Sequence, residues 1–385
     1  MVLQMTTQAG KETIYKQNFD AVLEQTSDDK LRELRQRAFD YFTEHGFPTP
    51  KNEEWKYTNV APLVNNNFEF ARVQEWKYEL DHDLLGQFNF ERNGFTAAHL
   101  AFANFLFVRI PADTVRENPI KFDFSVHGNV AICPHIILVA EKGSKATIIE
   151  NYESDGPGFT NSAIQIFVED NANITHYRVQ KESAEALHVG TTEVSIGRGS
   201  LYNSTNINLG GRISRHDIHV RFTTEGGEAF VDGLYMLGGD QHHDTHSTIE
   251  HALPNCVSHQ TYKVVLNDSS RGVFNGKVFV RENATGTDAQ QSNKNLLLSN
   301  DARIDTKPQL EIFNDDVKCS HGATVGQLEE EELFYLLSRG ISEKLAKNLL
   351  TYGFAEEIIN KIGIDAIKKD LDEIVLNRLD VKLEA

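Results

Sequence analysis

The chain has 385 residues, and 38 Lys and Arg stand against 56 Asp and Glu, which gives a net charge of −18. Nucleic acid and anionic lipid are both bound through clustered Lys and Arg, so this balance argues against either as a general partner. The content of 40% hydrophobic and 9% aromatic residues predicts a folded protein with a large core.

The cysteines and the start of the chain bear on location. The chain has three cysteines, Cys133, Cys256 and Cys319, and so small and odd a number does not make a disulfide framework. This count is typical of a protein in a reducing compartment. The first residues lack the basic and apolar segments of a secretory signal. The longest apolar-rich stretch, residues 100–108, is far shorter than the roughly 20 residues of a membrane helix. We therefore expect a cytoplasmic protein without a membrane segment.

Residues 1–95 predict a helical N-terminal region. Ser27 is a plausible N-cap, because acidic residues follow it in what would be the first helical turn. Apolar residues then recur at helical spacing, at Leu31, Leu34, Ala38, Tyr41 and Phe42. Gly46 and Pro48 are expected to end this helix. Beyond it, Trp55 and Tyr57 are expected to pack onto the body of the protein.

Residues 96–325 change to short alternating runs that are typical of strands, such as residues 136–139, 164–168 and 262–266. Small turn residues recur every 28 positions, at Gly143, Asn171, Gly199 and Gly227. Residues 229–234 also resemble residues 272–277, displaced by 43 positions. Recurring turn-then-strand units indicate stacked coils or a repetitive sandwich, but spacing alone leaves parallel coils and antiparallel meanders open.

Residues 326–385 return to the helical period. One apolar stripe ends at Gly340, a second helix is capped by Ser342 and expected to close at Gly353, and later stripes follow on either side of Gly363. These helices could cover the exposed edges of the β body or leave an apolar stripe for a partner. Both interpretations stay open at this point.

The sharpest chemical pattern is Cys319-Ser320-His321. Residues two apart in a strand face the same side, so the thiol and the imidazole could converge on one iron or zinc ion. Two ligands do not close a tetrahedral site. The others would have to come from another chain, from inorganic sulfide or from a distant residue of this chain. The plainer interpretation is a packed cysteine beside a hydrogen-bonded histidine.

Other motifs are weaker. His242, His243 and His246 lie close together, with His251 and His259 downstream, but no HExxH pattern accompanies them. We expect these rings to make ordinary hydrogen bonds. The sequence has no P-loop, no GxGxxG that opens a helix and no GxSxG elbow, so it predicts no nucleotide hydrolysis and no esterase-type chemistry.

A longer signature spans residues 262–341. The blocks SRGVF, NKNLLLS, DTKPQLEI, DDVKCSHGAT and LFYLLSRGI resemble the shared C-terminal part of the SufB/SufD family of iron–sulfur cluster assembly proteins. The segment EWKYT at residues 54–58 and the chain length resemble the SufD branch of that family.

The resemblance implies a mainly β fold, a right-handed parallel β-helix core flanked by N- and C-terminal α-helical regions. It implies a non-enzymatic scaffold subunit that pairs with SufB, binds the SufC ATPase through residues 326–385 and shares a transient nascent iron–sulfur cluster with SufB. His321 would be the ligand on this side of the SufB seam, with Cys319 next to it, and no nucleotide would bind to this chain.

Two alternatives remain. A symmetric homodimer would double Cys319 and His321 to four ligands without SufB, and the isolated chain could also pair with itself. A β-helix enzyme acting on polysaccharide would use paired carboxylates, although its usual secretory signal is not visible.

Overall fold

The computed structural model describes residues 15–64, 66, 68–71 and 80–379. Residues 15–25 are helical and are called α1. The other helices of this N-terminal part are α2 (Asp29–His45), α3 (Ala61–Val64), α4 (His82–Leu85) and α5 (Gly94–Phe102), with 3-10 turns at Glu53–Trp55 and Phe90–Arg92.

Helix α2 begins one residue later than the sequence analysis predicts. Its N-cap is Asp28, whose carboxylate accepts from the backbone N–H of Leu31, so Ser27 is not the cap. The predicted end is confirmed, because Gly46 adopts a φ of 64° and its N–H donates to the carbonyl of Phe42. The buried Arg35 on the same helix donates to the carbonyls of Ala101 and Ala103, which ties α2 to the end of α5.

The described residues form 18 strands. They are β1 (Glu69–Phe70), β2 (Asn104–Ile110), β3 (Ile120–Val126), β4 (Val130–Ile132), β5 (Pro134–Ala140), β6 (Lys145–Ser154), β7 (Phe159–Val168), β8 (Asn173–Gln180), β9 (Leu187–Ile196), β10 (Leu201–Asn208), β11 (Ile213–Phe222), β12 (Glu228–Leu237), β13 (His242–His251), β14 (Val257–Leu266), β15 (Arg271–Val280), β16 (Thr287–Leu297), β17 (Arg303–Ile312) and β18 (Val317–Gly326).

The strands stack into a parallel β-helix. From β6 onward they belong alternately to two sheets, and each pairs in parallel with the strand two positions along the chain. Sheet A runs from β1 through β4, β7, β9, β11, β13 and β15 to β17, while β5 also pairs with β7 and β2 pairs with β5. Sheet B runs from β3 through β6, β8, β10, β12, β14 and β16 to β18. This arrangement confirms the fold class and decides for parallel coils over antiparallel meanders.

The 28-residue spacing is the length of one coil. Lys145 pairs with Asn173, and Asn173 pairs with Leu201, each one coil further on. Gly143, Asn171 and Gly199 occupy the same turn of successive coils with φ between 58° and 70°, a region that favours Gly and Asn. In the next coil Gly226, not Gly227, has the positive φ.

The displacement of 43 residues has a different meaning. Residues 229–234 lie in β12 of sheet B and residues 272–277 lie in β15 of sheet A, and these two strands do not pair. The strand paired with β12 is β14, where Ala229 meets Ser258. The similarity therefore relates strands on opposite sides of the coil rather than successive repeats.

Successive side chains of each strand point alternately into the β-helix and out to its outer faces. Ile148, Ile174, Val231 and Val264 are among the inward residues of sheet B that form the central apolar core. On the outer face of sheet A, Trp55 and Phe95 from the N-terminal part join Phe159 and Leu187 in a second cluster.

The C-terminal helices are α6 (Glu330–Ser338), α7 (Glu343–Ile359) and α8 (Asp365–Arg378). Ser342 caps α7 as predicted, since its hydroxyl accepts from the N–H of Leu345. Gly353 does not end this helix, which continues unbroken to Ile359 because its next turn is anchored by buried Ile358 and Ile359. No helix in the described part of the chain combines the length and the apolar character needed to cross a bilayer.

Candidate functional site

Cys319 and His321 lie on β18, the last strand of sheet B. They pair in register with Ala289 and Gln291 of β16, which are both buried inside the β-helix. The two side chains therefore belong to the inward-facing row of the final coil. The same-face relationship predicted from their spacing is present.

The final coil is open at the end of the β-helix, where no further coil of the described residues stacks on it. Cys319 is half-buried and packs beside Val278, Val280 and Ala289, whereas His321 is exposed. The corresponding positions one coil earlier are completely covered. His321 is thus an interior-facing residue that is exposed because no further coil of the described chain lies above it.

The rim of this open end carries three exposed apolar side chains among polar ones. Ile312 and Phe313 at the end of β17 are 41% and 56% exposed, and Val325 on β18 is 51% exposed. Each of β17 and β18 is the terminal strand of its sheet, so each has one edge without a strand partner among the described residues. Unpaired edges beside exposed apolar side chains form a surface that favours association.

Cys319 and His321 do not complete a metal site by themselves. Within the described ranges no three His, Cys, Asp or Glu side chains are grouped closely enough to hold a metal ion. Burial and the nearby Asp288 carboxylate raise the pKa of the Cys319 thiol, although a backbone hydrogen bond at Ala289 opposes them. The thiol is therefore protonated near neutral pH and would release its proton on binding a metal.

Gln291 adds a polar group that the sequence analysis did not identify. Its amide nitrogen donates to Oε1 of Gln260 at 2.9 Å, while its own buried Oε1 has no hydrogen-bond partner among the described residues. An unpaired amide oxygen one strand from the His321 ring can accept a hydrogen bond from it. Only the register of the coils places Gln291 there, so no local sequence signal could have found it.

The sequence left open whether the C-terminal helices cover the β body or leave an apolar stripe for a partner, and the structure shows both. Helices α7 and α8 cover the outer face of sheet B, where Ile358, Ile359, Leu371 and Val375 are buried. Helix α6 has no buried residue, and its Phe334 and Tyr335 are 72% and 57% exposed. Two helices therefore cap the β body, and one leaves an aromatic face uncovered.

The histidine-rich strand β13 holds the N-terminal segment in place. The hydroxyl of Thr58 donates to the buried carboxylate of Asp244, and the ring of His242 lies 2.8 Å from the same hydroxyl. His246 contacts Asp244 through Nε2 and Glu54 through Nδ1, at 3.1 Å and 3.0 Å. The expectation of ordinary hydrogen bonds is met for His242 and His246.

Arg215 is the centre of this attachment. Its guanidinium bonds to the carboxylates of Asp217 and Asp244, and it lies over the ring of Trp55 with Cζ 3.8 Å from the centroid. Trp55 is also stacked on Phe95, which confirms that this tryptophan packs onto the body. The segment that resembles SufD is thus fixed to the outer face of sheet A.

Buried charge inside the β-helix was also missed by the sequence analysis. His176 lies 2.7 Å from Glu150, and His188 lies 2.9 Å from Glu182, all four of them buried. The sequence shows these residues only as polar positions within strands. Their pairing depends on register across the coil.

Two family models match the chain. The model described as "SUF system FeS cluster assembly, SufBD core domain" matches residues 124–354, and "SufBD protein N-terminal region" matches residues 5–86. The first covers most of the β-helix as well as helix α6, and the second covers the segment held by Arg215.

Relatives of known name agree with these models. A SufBD family protein of Synechocystis is 34% identical over 345 residues, covering 86% of this chain and 76% of that protein. The iron–sulfur cluster assembly protein SufD of Escherichia coli is 31% identical over 372 residues, covering 85% of this chain and 88% of SufD. SufD of Bacillus subtilis is 29% identical over 295 residues, covering 73% of this chain and 65% of that protein. The chain therefore belongs to the SufBD family and is a SufD-like subunit of iron–sulfur cluster assembly.

Proposed function

We propose that this protein is the SufD-like partner of a SufB chain and a SufC ATPase in a cytoplasmic complex, and that it acts as a scaffold rather than as an enzyme. The observation that carries the proposal is the open final coil, where Cys319 and His321 stand at an uncovered end with exposed apolar side chains. A nascent iron–sulfur cluster is the cargo held there.

The SufB chain would dock end to end on this coil. The free edges of β17 and β18 can continue the two sheets into a partner, and Ile312, Phe313 and Val325 would be buried by that contact. A self-complementary end can also join two copies, so we expect the isolated chain to form a homodimer through the same surface. The partner subunit would replace the second copy when both are present.

His321 and Cys319 would supply the ligands on this side of the seam. Imidazole nitrogen and thiolate sulfur both suit iron, and the remaining ligands would come from sulfide and from the partner. A cluster with part of its ligands on each chain holds the two chains together. Movement of one chain relative to the other would weaken its attachment and favour release.

Helix α6 would bind SufC. Its exposed Phe334 and Tyr335 have an aromatic character typical of the central residues of a protein interface. This chain has no P-loop, so ATP hydrolysis would be supplied by the partner. Nucleotide-bound SufC would act on the seam by binding one arrangement of SufB and SufD more tightly than another.

The experiment is a pair of aspartate substitutions on the two surfaces. Val325→Asp should weaken binding to the SufB chain of the same source by at least about tenfold and leave SufC binding unchanged, because it buries a charge at the seam. Phe334→Asp should do the reverse. Val115→Asp is the control, because Val115 is 64% exposed and lies before β3, far along the chain from both surfaces.

Pull-downs and titration calorimetry with each partner would measure these effects. Truncation after Gly340 is a poor test, because it removes α7 and α8 and uncovers the outer face of sheet B. Unchanged SufB binding by Val325→Asp would contradict the end-to-end contact. Unchanged SufC binding by Phe334→Asp would contradict the role of α6.

A further inference from the structure

A cavity of about 550 Å³ lies between the N-terminal part and the outer face of sheet A, away from Cys319 and His321. Its size is within the range of small-molecule sites in proteins. One wall is formed by the end of α2 and the Glu53–Trp55 turn, and another by residues 92–94 before α5. Strands β11, β13 and β15 form its floor.

The pairing of neighbouring strands places polar side chains side by side on the floor of the cavity. His219 of β11 pairs with Thr248 of β13, and Thr248 pairs with Lys277 of β15, so these three side chains form one row across the sheet. On its other side His219 pairs with Glu193 of β9. Arg92 reaches this end of the row, where its Nη2 donates to Oε1 of Glu193 at 2.6 Å.

Two buried nitrogens at this end lack partners. Neither Nη1 of Arg92 nor Nε2 of His219 has a hydrogen-bond partner among the described residues, although both atoms are buried. Burial, and then the charge of Arg92, lower the pKa of His219 to about 3, so the ring is neutral at physiological pH. With its proton on Nε2 the ring donates, as the Arg92 guanidinium does, and both line the same cavity.

Two of the three carboxylates that line the cavity, Asp217 and Glu54, are already paired, whereas the third, Glu53, is exposed and lies 3.8 Å from Nζ of Lys307. Asp217 accepts from Nε and Nη2 of Arg215, and Glu54 accepts from Lys277 and contacts His246.

Nη1 of Arg92 is a donor, and so is Nε2 of His219 in the tautomer that carries its proton there, so an acceptor such as an oxyanion suits this end of the cavity. Oδ1 of Asn275 on β15 is a further buried atom of the lining without a partner among the described residues, and it is an acceptor. An unpartnered buried donor is costly, so a ligand that accepts from it is bound favourably.

The lining also has an apolar part, beside polar residues such as Asn52 and Asn93. Tyr41, Trp55 and Phe279 border the cavity together with Pro48. These four side chains suit the apolar part of a ligand. The cavity as a whole is larger than a bare inorganic anion would fill.

We propose that this cavity binds a small organic monocarboxylate, with its carboxylate at Arg92 and His219 and its apolar body against the aromatic side chains. The site is separate from the proposed cluster seam, and the proposal rests on the cavity, on the unpartnered nitrogens of Arg92 and His219 and on the pairing of Asp217 and Glu54. It does not depend on the proposed function.

Benzoate and caproate are the probes, and benzamide is the matched neutral control. Binding to the full chain would be followed by saturation-transfer NMR and by Trp55 fluorescence in a Trp76→Phe background. We expect both carboxylates to bind saturably and benzamide to bind at least about tenfold more weakly, because it lacks the charge that the Arg92 donor meets.

Two cavity variants extend the test. Arg92→Gln removes the charged donor, and Thr248→Leu adds bulk to the floor, so each should weaken benzoate binding at least about tenfold. Arg198→Gln is the control, because it breaks an exposed Arg–Glu pair on another surface. Circular dichroism would establish that each variant is folded.

Three results would overturn the proposal. They are the absence of saturable benzoate and caproate binding, equal binding of benzamide, and benzoate binding that survives in folded Arg92→Gln and Thr248→Leu. The comparison of benzoate with benzamide uses the unaltered cavity, so it decides the question even if a variant does not fold.

Discussion

His321 lies directly beside Gln291 in the register of β18 on β16, and the buried Oε1 of Gln291 has no partner among the described residues. Neighbouring strands are about 4.8 Å apart, so the exposed ring and the buried amide are within mutual reach. No hydrogen bond joins the two side chains in the structure, and we propose that Gln291 positions the His321 ring by accepting one when a ligand binds at His321. It belongs to the last fully covered coil, and His321 belongs to the first uncovered one.

Replacement of Gln291 should change the state of the His321 ring. An amide oxygen that accepts from one ring nitrogen leaves the other nitrogen free for a metal. In Gln291→Leu with a ligand bound at His321 we expect a mixture of the two ring tautomers, visible as altered nitrogen shifts in long-range nitrogen–proton NMR spectra. Gln290→Leu is the matched control, because Gln290 is exposed on the opposite face of the same strand. Identical His321 shifts in Gln291→Leu and the unaltered protein would refute this role.

Trp55 should be a major contributor to the attachment of the N-terminal part. It is 2% exposed and lies between the guanidinium of Arg215 and the ring of Phe95. Trp55→Ala should lower the free energy of unfolding by about 3–5 kcal/mol, as large-to-small core substitutions do. It should also speed proteolysis before α5. Tyr57→Ala, at a less buried position, should cost clearly less, and an equal loss in both variants would argue against this account.

Acid should destabilise the protein. Burial lowers the pKa of His99 and His251 to about 4 from the ordinary 6.5, and that of His219 to about 3. Further buried rings shift in the same direction, namely His135, His188, His216, His242 and His243. Between pH 6.5 and about 4 the unfolded chain binds protons that the folded chain does not, so stability is lost as the pH falls.

For His99 and His251, whose folded pKa is about 4, the slope approaches about 1.4 kcal/mol per pH unit for each ring below the unfolded pKa of 6.5, and the other lowered rings add in the same direction. His246 acts in the opposite sense. Burial lowers its pKa, but the Asp244 carboxylate raises it and the net shift is upward, so its contribution to the free energy of unfolding is lost as the pH rises. Urea unfolding from about pH 7 to about pH 5 measures the sum. His251→Gln should reduce the slope by the share of one histidine. Greater stability at the lower pH would contradict the assignment of these rings as buried and neutral.

Local patterns in the sequence predicted much of the fold because coil geometry repeats them. Gly143, Asn171 and Gly199 mark the same turn in successive coils, since that turn needs a positive φ. The helix ends were less certain. Ser27 and Asp28 are both good capping residues, and only backbone geometry decides between them, while Gly353 lies inside α7 because packing of Ile358 and Ile359 outweighs its helix-breaking tendency.

The site was only partly predictable for a physical reason. Cys319 and His321 are two positions apart, so alternation alone puts them on one face. Gln291 and the Arg92–His219 pair come together through pairing across coils or between the N-terminal part and sheet A. No local pattern encodes such contacts. The division at residues 95 and 325 stays a prediction, as does the role of each ligand.

Cluster assembly on the reconstituted complex tests the central claim most directly. His321→Ala and Ser320→Ala would each be combined with SufB and SufC from the same source, supplied with iron and sulfide, and assayed for bound iron, sulfide and visible absorbance. His321→Ala should lose most of the cluster while the complex stays assembled, and Ser320→Ala, whose side chain faces away from the interior, should retain it. Full cluster content in an intact His321→Ala complex would contradict the account.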